Sequence, residues 1–165
     1  MINLQIYLLK GELTMKKFLY IPSLILMMSL VFIGCQKPLD PLQDGTYEVT
    51  FDEPDPTGWK AFLILKIEDG SILEVTYDYR GYGVQEGILK SQDEAYAEAM
   101  YAVTGTKPIL YIQKLEDALL TSQDPEKIDT ISGATTSTRD FKAFVKEALN
   151  ASRQGEGAPI TLPQP

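Results

Sequence analysis

The sequence predicts an α+β fold: a small antiparallel sheet of at least three strands packed with about three helices. Segments with strand periodicity all precede segments with helical periodicity, the order of an α+β chain rather than an alternating α/β one. A two-residue Asp69-Gly70 turn joins two alternating apolar runs, which signals a hairpin. The chain has 165 residues, 44% of them hydrophobic, enough for one core once the ends are set aside.

The first strand is Gly45 to Phe51, where Tyr47, Val49 and Phe51 alternate. DEPDPTG then forms a loop. Trp59 to Ile67 places Trp59, Ala61, Leu63, Leu65 and Ile67 on one face, with Phe62 and Ile64 on the other, so part of this strand is expected to be covered on both sides. Ile72 to Tyr79 returns with Leu73, Val75, Tyr77 and Tyr79 in phase. After a Gly-rich connection, Ser91-Gln92-Asp93-Glu94 reads as a capping box. It opens a helix with Tyr96, Met100 and Val103 on one face and Gly105 as its stop. Pro108 suits the first turn of the next helix, striped by Ile112, Leu115 and Leu119. The last helix is expected from about Ser137 to Ala151, with Phe141, Phe144, Val145 and Ala148 inward. The folded domain is thus residues 44–152, preceded by a tether at 35–43 and followed by a disordered tail at 153–165.

Composition excludes many activities. The chain has no histidine, so there is no Ser-His-Asp or Cys-His pair and no imidazole ligand for zinc or haem. Its single cysteine makes no intramolecular disulfide, CxxC pair or iron–sulfur site. Redox chemistry here requires a borrowed cofactor. The net charge is −8, and the first 34 residues carry three lysines and one glutamate, leaving −10 on the remainder. Such a body repels nucleic acid, which is not an expected partner, and has no polybasic surface for lipid.

Residues 1–34 read as a short upstream stretch followed by an export signal. MKKFLYIPSLILMMSLVFIGC, at 15–35, has a lysine pair, a sixteen-residue apolar run and a small residue before Cys35. The run is shorter than the roughly 20 apolar residues that span a bilayer. V-F-I-G-C resembles a bacterial lipobox, with Phe32 where that pattern prefers Leu. A lipobox implies cleavage before Cys35 and its lipidation, anchoring the protein at the cell membrane with its folded part on the extracytoplasmic face. Met15 is expected to be the true start.

The remaining motif is IDTISGATTST at 128–138, with six hydroxyl residues around Gly133 and Ala134. Ser137 or Thr136 could cap the final helix. Capping needs one or two hydroxyls, however, and does not call for Asp129 or for Gly-Ala. A helix start also offers free backbone N–H groups and a positive dipole end, which suit a phosphate. A hydroxyl there could carry that phosphate as an ester, retaining a cofactor in an exported protein.

Asp129-Thr130-Ile131-Ser132-Gly133-Ala134-Thr135 resembles the D-x-x-S/T-G-A-T/S motif at which a flavin transferase joins FMN to a threonine. DGTYEV, GWKAFLILKIEDGSILEVTYDY, LKSQDEAYAEAM and PEKIDTISGATTSTRDFKAFVKEAL follow the order of the FMN-binding domain family, found in subunits of sodium-pumping quinone reductase and Rnf complexes and in single-domain bacterial lipoproteins. The resemblance implies that Thr135 accepts the FMN phosphate as a phosphoester, with FAD as donor and AMP released. It also implies that Asp129, Ser132, Gly133 and Ala134 form the recognition segment, with Thr136 a neighbouring hydroxyl. The implied role is electron carrier rather than stand-alone enzyme, in exchange with a redox partner protein or quinone-linked enzyme.

Tyr77, Tyr79, Tyr82 and Tyr101 are candidate walls for the flavin ring by residue type, though such aromatics are more often core. Trp59 reads most simply as core and Lys90 as a solvated lysine. Rival functions are a flavin-dependent reductase with its own substrate, a binding lipoprotein in which SGAT only caps a helix, and a non-covalent flavodoxin. GYGVQEG lacks the strand-turn-helix setting of a nicotinamide fingerprint.

Overall fold

The computed structural model describes residues 40–165. Cys35, the export signal and Met15 lie outside them. The chain runs through strands β1 (Gly45–Phe51), β2 (Trp59–Glu68) and β3 (Ser71–Gly81), and helices α1 (Glu94–Thr104), α2 (Pro108–Ser122) and α3 (Thr135–Gln154). A last short strand, β4 (Ile160–Leu162), follows. The sheet order is β3-β2-β1-β4. The first three strands are antiparallel, and β4 runs parallel to β1 at the edge. The fold is therefore α+β with a mixed sheet and three helices.

The hairpin turns at Asp69-Gly70, both with positive φ (51° and 70°), the backbone of a type I′ turn. Its ladder pairs Leu63 with Tyr77 and Ala61 with Tyr79. A register shift between Lys66 and Ile67 moves the start of β3 by one side chain. Ile72 therefore faces the core and Leu73 is 49% exposed, the reverse of the alternation read from sequence.

The core lies between one face of the sheet and the helices. Trp59, Leu63, Leu65, Leu115, Leu119, Phe141 and Phe144 are almost fully enclosed. Phe144 meets Phe51 edge-on at 4.7 Å and Phe141 meets Tyr77 at 5.1 Å. On the opposite sheet face Phe62 is also buried, because the Arg80 guanidinium stacks 3.8 Å from its ring centroid. The expected double covering of β2 is thus local, as Ile64 is only half-buried.

Three helix details depart from the sequence reading. The cap of α1 is Asp93, whose side chain accepts from the Tyr96 N–H, while Ser91 hydrogen-bonds Asp78 on β3 instead. Val103 is exposed, because the helix meets the body through only a narrow strip around Ala97. The chain beyond 152 is also ordered: α3 continues to Gln154, closes at Gly155 in the left-handed conformation, and Ile160–Leu162 pair with Val49–Phe51. That strand satisfies an otherwise open edge of β1 but is too short to show periodicity. At the other end, Gln43 is fastened to α3 by hydrogen bonds of 3.0 and 2.9 Å with the buried Ser152 hydroxyl.

Candidate functional site

The segment 128–138 wraps onto the start of α3. Ile128, Ile131 and Ala134 point into the core, while Asp129, Ser132, Thr135 and Thr136 are exposed. Alternation of apolar anchors with polar residues explains why the segment is both fixed and accessible. Thr138 fastens it: its hydroxyl accepts from the Ile131 N–H at 3.2 Å and donates to the Ala134 carbonyl at 2.9 Å.

Gly133 has φ +78°, and a Cβ there would lie 2.8 Å from the Thr104 carbonyl oxygen and 3.0 Å from the Thr106 methyl. Glycine is required by backbone conformation and by the close approach of the α1–α2 connection. Ala134 is small because it is enclosed, at 4% exposure.

Thr135 is the first residue of α3 and is exposed. The N-cap is Ala134, and no side chain caps the helix. Neither Thr136 nor Ser137 therefore serves the capping role their type allows. The first intrahelical bond runs from the Thr138 N–H to the Ala134 carbonyl at 2.9 Å. This leaves the amides of Thr135, Thr136 and Ser137 without intrahelical partners, at the positive end of a twenty-residue helix.

Two concavities share this first turn. One is an open groove of about 620 Å³ containing Thr130, Thr135, Arg139, Lys142 and Lys146. It gathers cations in an otherwise acidic protein, though Lys146 pairs with Glu126 at 2.6 Å and Lys142 donates to the Ile128 carbonyl at 3.2 Å. The other is a smaller cleft of about 240 Å³, lined by Trp59, Tyr79, Tyr96, Lys90, Thr136 and Ser137. Asp55 and Asp140 also line it, and one Asp140 carboxylate oxygen accepts from the Arg139 guanidinium at 2.9 and 3.0 Å. Burial raises the Asp140 carboxyl above its usual value, and Arg139 opposes that shift.

The candidate ring-wall tyrosines divide. Tyr77 and Tyr79 are buried with hydroxyls 2.8 Å apart, and Tyr77 donates to the Ser137 carbonyl at 3.2 Å. Burial pushes both phenols well above their ordinary range, so they remain neutral hydrogen-bonding groups that tie β3 to α3. Tyr82 and Tyr101 are largely exposed, at 41% and 51%. Lys90 is not solvated: it is 7% exposed, with its ammonium 4.5 Å from the Tyr79 and Tyr96 ring centroids and 5.7 Å from that of Trp59. Tyr96, Asp140 and Gln164 join this cleft although sequence reasoning gave them no site role. They come from a helix face, a helix interior and a terminal tail, and no local spacing links them.

Comparison with known proteins bears on what this arrangement holds. Residues 58–150 match the FMN-binding domain family. The chain is 38% identical to a 15 kDa lipoprotein of Treponema pallidum (strain Nichols) over 115 residues, which is 70% of this chain and 79% of that one. Its structure resembles the crystal structure of the CPE2226 protein from Clostridium perfringens, with a TM-score of 0.69 and 33% identity, covering 75% of this chain and 99% of the other.

Proposed function

The chain belongs to the FMN-binding domain family, and from that premise we propose that it is a membrane-anchored extracytoplasmic flavoprotein carrying FMN covalently on Thr135 and acting in electron transfer. The observation that carries this reading is Thr135 itself: an exposed hydroxyl on the first residue of α3, beside amides with no intrahelical partner and next to Arg139 and Lys142. Free N–H groups, a helix dipole and nearby cations are the donor set a phosphate needs, so the residues present fit the group.

FMN supplies one- and two-electron chemistry that the chain's own side chains lack. Thr135 contributes the esterifying oxygen. Its hydroxyl oxygen would hold FMN as a phosphoester, with FAD as the donor and AMP, which takes up the hydroxyl proton, as the leaving group. Asp129 and Ser132, exposed on the preceding turn, present the surface a flavin transferase reads. Gly133 and Ala134 act by shape, letting the turn pack against Thr104 and the core so that Thr135 projects outward.

The lipobox-like sequence before Cys35 and the likeness to a lipoprotein support anchoring through an acylated cysteine. Among the described residues no helix is long and apolar enough to cross a membrane. Electron exchange is then with a redox partner protein or a quinone-linked enzyme at the outer face.

Co-expression with a flavin transferase, followed by a denaturing gel and intact mass, tests the reading. The wild-type chain should fluoresce in the gel and gain the mass of one FMN ester, and Thr135→Ala should do neither while keeping its fold. A wild-type chain without added mass, or flavin surviving denaturation in Thr135→Ala, would refute it.

A further inference from the structure

The last residues of the chain reach both hollows at the start of α3. Leu162, which ends β4, lines the groove with Thr135, and Gln164 lines the cleft with Thr136 and Ser137. This strap, 160–164, lies beyond the residues 58–150 that match the FMN-binding domain family, so the family likeness gives it no role. It is nonetheless fastened. β4 pairs with β1, and the Asp52 N–H donates to the Leu162 carbonyl at 2.8 Å. The Asp52 carboxylate accepts from the Gln164 N–H at 2.9 Å, and the same oxygen accepts from the Glu53 N–H at 2.8 Å.

A flavin esterified to Thr135 enters the groove, because Thr135 lines the groove and does not line the cleft. At about 620 Å³ the groove falls within the roughly 300–1,000 Å³ of small-molecule sites, whereas the cleft, at about 240 Å³, falls below it. A fused ring needs apolar surface to lie against. The groove offers little. Charged and hydroxyl side chains predominate, and among the described residues Ala143 and Leu162 are its only apolar ones. Ala143 adds a single methyl, so Leu162 is the large apolar group. It is half-buried: it packs against the core and keeps a part open to the groove.

We propose that the strap is a wall of the flavin site and that Leu162 is the apolar contact for the ring of an FMN joined to Thr135. The proposal depends on the reading that Thr135 carries FMN. A ring held only through a phosphoester and a sugar-alcohol chain has many rotatable bonds, and a fixed apolar contact restricts it. That contact removes apolar area of both ring and leucine from water. Pairing with β1 and the Asp52 fastening make the strap a fixed surface, so the ring meets a preformed wall. Leu162 is thus a positioning residue supplied from outside the shared domain.

The full chain, loaded by co-expression with a flavin transferase, is compared with loaded Leu162→Ala, Leu162→Thr, Leu162→Met and Ile160→Ala. The readouts are iodide quenching of the flavin emission and the anisotropy of that emission. Wild-type quenching should be severalfold weaker in the native protein than in urea, because the ring is covered. Leu162→Ala should raise native quenching about twofold and lower the anisotropy, because the ring loses its wall. Leu162→Thr, which suits a strand, should act in the same direction, and Leu162→Met should stay at wild type. Ile160→Ala shortens a strap residue that packs on the core and lines neither hollow, so it should also stay at wild type. Leu162→Ala and Leu162→Thr proteins that match wild type in both readouts overturn the wall and leave the Thr135 ester standing. An Ile160→Ala effect as large as that of Leu162→Ala does the same, since strap packing alone then accounts for it. So does a native wild-type flavin as open to iodide as the unfolded one. A wild-type chain that gains no flavin mass instead overturns the Thr135 reading on which the wall depends.

Discussion

Thr138 fastens the flavin-motif turn to α3 with a single hydroxyl. Thr138→Val removes the acceptor of the Ile131 N–H and leaves that amide buried and unpaired, which should cost about 1–3 kcal/mol in urea unfolding, with Thr138→Ser near wild type. Gly133→Ala should cost a similar ~1–3 kcal/mol, since alanine must take φ +78° and its methyl meets Thr104. Asp140 gives a pH signature. Burial raises its folded pKa above the ordinary 3.8, so the native protein binds that proton more tightly than the unfolded chain does. Its contribution to stability therefore falls as pH rises from the ordinary value through the raised one, and is constant above. Asp140→Asn should gain on wild type across that window and then hold a fixed difference, read from urea midpoints between about pH 4 and 7. Gly133 and Ala134 were legible in the sequence because what the fold asks of them is local: a positive φ and a small enclosed side chain at consecutive positions. Lys90 was misread as solvated because nothing adjacent to it announces the rings of Tyr79 and Tyr96.

At the scale of elements, long periodic runs were read well and their junctions poorly. The strands of the hairpin and the apolar stripes of α2 and α3 follow from side-chain period alone. The register shift at Lys66/Ile67 and the choice of Asp93 over Ser91 as cap follow from competition between partners, which period does not record. Gln123 illustrates such a junction. It ends α2 at φ 55°, and its amide both accepts from the Ile72 N–H at 2.7 Å and donates to the Ile72 carbonyl at 3.0 Å. Gln123→Ala removes both bonds and should lower stability by about 1–3 kcal/mol, seen as an earlier thermal transition with little change in helix content.

For the whole molecule, β4 closes the sheet at β1 and delivers Gln164 to the aromatic cleft. A chain ending at Gly157 loses the packing of Ile160 and Leu162, expected to cost ~1–3 kcal/mol. It also bares the β1 edge, which should appear as self-association in size-exclusion chromatography. Retention of full stability and a monomeric profile by the shortened chain would show that the strand is dispensable.

The sequence by itself determined the α+β class and the order of strands and helices, because each rests on periodicity or on neighbours within one turn of chain. Only the tertiary structure decided that the tail is a strand, that Lys90 is enclosed, and that Leu162 and Gln164 reach the two hollows at the start of α3. Those outcomes depend on contacts between residues far apart in the chain, where burial is set by which elements approach and not by any local pattern.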